Sequence, residues 1–67
     1  MGEEKLRLMK LIEHWVEHND EHRTRLEESA EKAAEMGLDS VSQELKAAAE
    51  TAAEVSKHLR RALDAFE

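Results

Sequence analysis

Met36-Gly37-Leu38-Asp39-Ser40 is the one strong break in a 67-residue chain that otherwise reads as helix from end to end. Glycine enters the left-handed region without steric cost, so Gly37 suits the position just past a helix C-terminus. Leu38 can then fold back on Ala33 as the hydrophobic partner of a Schellman-type stop. Ser40 reads as an N-cap, because Ser40-x-x-Gln43 matches a capping box in which each side chain satisfies a backbone N–H at the other's position. Two helices are predicted, at about residues 4–36 and 40–66, in a single domain spanning 1–67. So short a connection makes them antiparallel neighbours, a helical hairpin.

Composition agrees with that reading and narrows it. The chain is 39% charged and 40% hydrophobic, has no proline and only two glycines, and is rich in Ala, Glu, Leu and Lys, as long helices and coiled coils are. It has no cysteine, which excludes disulfides and thiolate metal sites. A net charge of −6 argues against binding nucleic acid or an anionic membrane through a basic face. Neither half holds the roughly 18 unbroken apolar residues of a membrane span, and Met1-Gly2-Glu3-Glu4 has no signal-peptide pattern. A soluble, cytoplasmic protein is expected.

Each half carries a heptad-spaced seam. In the second helix Val41, Leu45, Ala48, Ala52, Val55, Leu59, Ala62 and Phe66 alternate at spacings of four and three. In the first, Leu8, Ile12, Trp15, Asn19, His22, Leu26, Ser29, Ala33 and Met36 do the same, but Asn19, His22 and Ser29 make its middle polar. A buried polar group without a partner costs about 1–3 kcal/mol, so these three must meet one another, water, a metal or a second chain.

Bulk is unevenly distributed along the hairpin. Leu6, Leu8, Met9, Leu11, Ile12, Trp15 and Val16 crowd the open end opposite Val55, Leu59, Leu63 and Phe66, while the loop end is mostly alanine and serine. A lone core in a chain below roughly 70–80 residues seldom supplies more than about 3–5 kcal/mol. Both points lead to a homodimer forming a four-helix bundle. An antiparallel pair would set the bulky end of one hairpin against the small-residue end of the other.

The stretch Ile12-Glu-His-Trp-Val-Glu-His-Asn-Asp-Glu-His-Arg-Thr-Arg-Leu26 carries the functional signal. His14, His18 and His22 recur every four residues and so stack along one slowly drifting ridge. In a hairpin turning near residue 38, His18 lies level with His58, at mid-bundle. Four helical residues advance about 6 Å, a separation at which two imidazoles can share one ion. His18, His22 and His58 are therefore the expected metal ligands. His14, off the apolar stripe, is the weaker choice. Neutral imidazole suits a divalent transition metal, zinc first, with copper, nickel or iron also acceptable. The bland reading makes His22 a core histidine hydrogen-bonded across the dimer, and makes Glu13, Glu17 and Glu21 a solvated face.

His14-Trp-Val-Glu17-His18 and His18-Asn-Asp-Glu21-His22 resemble the H-x-x-E-H pattern of inverzincins, in which the glutamate is the general base. That would make Glu17 or Glu21 the base of a metal-dependent hydrolase, in a chain too short for a peptidase cleft. Leu11 through His22 resembles the opening helix of short prokaryotic helical-hairpin proteins of uncharacterised function, which implies no activity. The regular seam also resembles designed or engineered four-helix bundles. Hemerythrin-like proteins share the four-helix form, but their longer His/Glu pattern is missing. Three expectations follow: a homodimeric bundle binding a metal through histidines, a structural or interaction bundle with a hydrogen-bonded polar layer, and a hydrolase. The only partner expected is a second copy.

Overall fold

The computed structural model describes residues 2–66, so Met1 and Glu67 of the expected domain lie outside it. Helix α1 runs Gly2–Glu35 and helix α2 runs Asp39–Asp64. They pack side by side as an all-α hairpin measuring 54 × 14 × 10 Å along its principal axes. Glu3 and Glu4 lie in the first turn of α1 and Lys32 in its last. In α2 Asp39 opens the helix and Arg61 lies in the last turn. Both helices thus place acid at the positive end of the macrodipole and base at the negative end.

The turn closes as its glycine requires. Gly37 has φ +76°, the left-handed conformation. The Leu38 N–H donates to the Ala33 carbonyl at 2.9 Å and the Gly37 N–H to the Ala34 carbonyl at 3.0 Å, the paired bonds of a Schellman motif. The cap of the second helix differs from expectation. Leu38 occupies the N-cap, no side chain caps the helix, and Ser40 lies inside the first turn. The Schellman closure already ends at Leu38, whose carbonyl accepts the first helical bond, from the Ser42 N–H at 2.9 Å. The helix therefore starts two residues too early for Ser40 and Gln43 to form a capping box.

The seam between the helices is also not the expected one. Ile12, Val16, Ala30 and Ala33 of α1 are buried, as are Ser42, Ala49, Ala52 and Ser56 of α2, with Met9, Leu26, Leu45, Leu59 and Leu63 half-buried around them. Leu8, Trp15, His22, Ser29, Met36, Val41, Ala48, Val55 and Ala62, nine of the seventeen expected seam residues, are exposed. Contact between the helices keeps one column of the expected seam, with Ile12, Leu26, Ala33, Leu45, Ala52 and Leu59, and replaces the other by the residues one further along, a rotation of each helix by about half the 100° per residue. The reason is size. Alanine and serine let the backbones approach closely enough for the Ser42 hydroxyl to donate to the Ala30 carbonyl at 2.8 Å. Valine at 41 or 55 would hold them apart.

Four of the six buried apolar residues are alanines, so Ile12 and Val16 carry most of this core, roughly 1.5–3 kcal/mol each. The displaced stripe leaves a second apolar face on the same side of both helices. Leu8 and Trp15 of α1 and Val41 and Val55 of α2 are each 44–48% exposed on it.

A Cβ at Gly37 would meet nothing within 4 Å, so replacing it tests backbone strain alone. Gly37→Val is expected to lower the unfolding free energy by about 1–2 kcal/mol, and Gly37→Asn by distinctly less, since asparagine tolerates the left-handed region. Urea denaturation of the two variants checks this ordering.

Candidate functional site

The middle of the hairpin is polar, and the polar groups form a chain. The Asn19 side-chain amide donates to the Ala52 carbonyl at 2.5 Å and to the Ser56 hydroxyl at 2.7 Å. Ser56, 1% exposed, in turn donates to Asp20 Oδ1 at 2.6 Å, and Arg60 donates to Asp20 Oδ2 at 2.5 Å. Asn19 thus has its partners inside the hairpin without calling on a metal or a second chain. Among the described residues no buried side-chain polar atom lacks a hydrogen bond.

This network has a titratable member. The hydrogen bond from Ser56 is the largest influence on the Asp20 carboxyl; with the hydrogen bond and charge of Arg60 and the charge of Arg23 it outweighs the opposing desolvation and holds the group below its ordinary value of 3.8.

Three of the four histidines border the uncovered apolar face, where Asn19 also reaches the surface. His14, His18 and His22 line one shallow groove there with Trp15, Asn19, Val55 and Leu59. The His14 and His18 rings are 4.3 Å apart between centroids and tilted by 53°. All four histidines of the chain are exposed. His18 and His22, expected as ligands, are brought together. His14, the weaker choice, stands beside them, because one turn of helix is enough to carry the ridge into the groove. His58 does not line the groove, nor do Glu17 and Glu21, the candidate bases, both of which are exposed. Among the described residues no three His, Asp or Glu side chains converge where an ion could sit. A single chain therefore presents three exposed histidines along an open surface and no assembled site among its described residues.

A family model described as a domain of unknown function, DUF8180, matches residues 8–66, nearly the whole chain. The chain belongs to the DUF8180 family. This agrees with the resemblance to short helical-hairpin proteins of uncharacterised function. The matched region of this DUF8180 chain includes the turn, both seams, the polar network and all four histidines. No curated protein and no solved structure matches it.

The network was only partly legible beforehand. Asn19 drew notice as a polar residue in a seam, but Ser56 and Asp20 lay off the expected one. The signal available was Asn19-Asp20 at the level of Ser56 and Arg60 in the hairpin register.

Because the folded Asp20 carboxyl titrates below its unfolded counterpart, its contribution to stability is fully present above about pH 4–5 and is lost as pH falls through the folded value. Asp20→Asn is expected to flatten that part of the acid limb in thermal melts taken from pH 6 to pH 2. Ser56→Ala, which takes a partner from both Asn19 and Asp20, is expected to cost about 1–3 kcal/mol at neutral pH.

Proposed function

We propose that this protein is a homodimeric helical bundle that holds a divalent transition metal, zinc first, through mid-bundle histidines, with His18 and His22 as the core of the ligand set and His58 completing it. The observation that carries this reading is the coincidence of two features on one face. Trp15, Val55 and Leu8 lie there half exposed, and His18 and His22, one turn apart, border the same groove.

An apolar face this long needs a cover. It includes Leu8, Trp15, Val41 and Val55, each 44–48% exposed along the length of the hairpin. A second copy supplies the matching surface. Covering the face would place His22 near the bundle centre, where imidazoles need protons, hydrogen bonds or a metal to compensate for lost water. No helix of the described residues is long and apolar enough to cross a membrane, so burial in lipid as a spanning helix is not the alternative.

One observation favours a second reading, a structural bundle without metal. The Asn19–Ser56–Asp20–Arg60 network is complete within one chain, so a polar layer already exists that uses no histidine. A hydrolase has the least support, since neither Glu17 nor Glu21 borders the groove.

The test is a pair of measurements on the same sample. Sedimentation equilibrium is expected to give twice the 7.7 kDa chain mass, and zinc is expected to raise the melting temperature by mass action. That rise should fade at acid pH, where protons compete with the metal for the imidazole nitrogens. His22→Ala and His18→Ala should each remove most of it. If zinc, copper and nickel all leave the melting curve in place while His22→Leu stabilises the dimer, the structural reading replaces the metal-binding one.

A further inference from the structure

Asp20 and Ser56 are hydrogen-bonded across the hairpin, so stepping back two residues on α1 and forward two on α2 puts His18 and His58 at one level. Their edges can be read from their neighbours. His18 follows Trp15 by three residues and precedes His22 by four; His58 follows Val55 by three and precedes Ala62 by four. Trp15, His22 and Val55 border a common groove. The two histidines therefore occupy opposite outer edges of the same uncovered face, with both helices between them. Packed helices lie about 8–10 Å apart, axis to axis, so one chain cannot close His18 and His58 on a single ion.

A second copy can. We propose that two hairpins pack through this face with their loops at the same end, the twofold axis running along the bundle, so that His18 and His22 of one copy meet the partner's His58. The dimer then contains two equivalent transition-metal sites that neither copy assembles alone. This rests on the dimeric metal-binding reading above and fixes its topology.

The argument is one of matched heights. A twofold along the long axis lays α1 over the partner's α2 without changing the level of any residue, so the register within the hairpin also sets the register between copies. The outer edges then face each other as Leu11 with the partner's Ala65, His18 with the partner's His58, Arg25 with the partner's Thr51, and Lys32 with the partner's Glu44. All eight are exposed in the single hairpin. Apolar meets apolar, histidine meets histidine, and bases meet a hydroxyl and a carboxylate. Toward the bundle centre Trp15 lies over the partner's Ala62, and Ser29 over the partner's Ala48. Trp15 on Ala62 sets a large side chain against a small one, as close packing asks, and the same register sets His22 over the partner's Val55.

Head-to-tail pairing, which residue size alone suggests, lays α1 on the partner's α1 with heights reversed. It sets Leu11 near the level of the partner's Arg25 and brings each His58 to the level of the partner's His58, on α2 and so away from His18 and His22.

The chain has no cysteine, so single introduced cysteines on exposed edges report the topology directly. Lys32→Cys mixed with Glu44→Cys under mild oxidation is expected to yield the mixed disulfide, identified by intact mass. Lys32→Cys mixed with Glu4→Cys is not. The reverse result overturns the same-end topology while leaving the dimer standing. A sedimentation mass of one chain removes the dimer itself, and this proposal with it.

The metal arm uses zinc alone. His58→Ala and the double variant His18→Ala/His22→Ala should each fail to bind as homodimers. A heterodimer of the two, purified by differential tags, should regain one zinc where the unaltered dimer takes two. Disulfide formation as expected with no zinc in that heterodimer would show that the shared site is wrong.

Discussion

Ser56 is the fixed point of this hairpin. It is a small residue buried against α1, and its hydroxyl both accepts from Asn19 and donates to Asp20. Only one height of α2 against α1 and one rotation of each helix satisfy both bonds. A seam of alanines could slide by a heptad at modest cost, since each alanine buries little surface and resembles the next. Directional bonds at the middle remove that freedom. The level of every other residue, including the histidines, is inherited from this contact.

Fixing the rotation has a second effect. A helix with one apolar stripe has one place to bury it, whereas both helices here carry two stripes about 100° apart. The stripe of small residues closes the hairpin. That of Leu8, Trp15, Val41 and Val55 is left facing outward on one side. The opposite flank is charged, with Arg23 and Glu27 paired at 3.7 Å and Asp20 joined to Arg60. Exposed ion pairs contribute little to stability, but they keep that flank soluble and make the two sides unlike. The dimer proposed above rests on this asymmetry. Four-helix packing asks each helix to bury two adjacent faces, and each helix here is built with two.

The histidines are interesting for where they are not. They stand clear of the hairpin's own polar network, which is satisfied without them. A histidine ridge bordering an apolar face costs nothing while the face is wet. It becomes consequential when the face is covered, because imidazoles then exchange water for whatever the covering surface supplies. In the proposed dimer, metal affinity and assembly are linked through the same residues.

The sequence by itself determined the two helices, the turn at Gly37, the antiparallel hairpin, the approximate level of His18 with His58 and the presence of a histidine ridge. Those follow from local chemistry: helix propensity, the conformational freedom of glycine, and the fixed rise of a helix. Tertiary structure decided which stripe is inside. Apolar residues at heptad spacing reveal that a face wants burial, but they do not say which neighbour buries it. Val41 and Val55 outweighed Ser42 and Ser56 on any hydropathy reading. In the fold the serines win, since their hydroxyls find the Ala30 carbonyl and Asp20 only once the backbones are close. The same rotation turned His22 outward and left His58 on the far edge. Rotation about a helix axis is set by what lies across from it, and no residue carries that information alone.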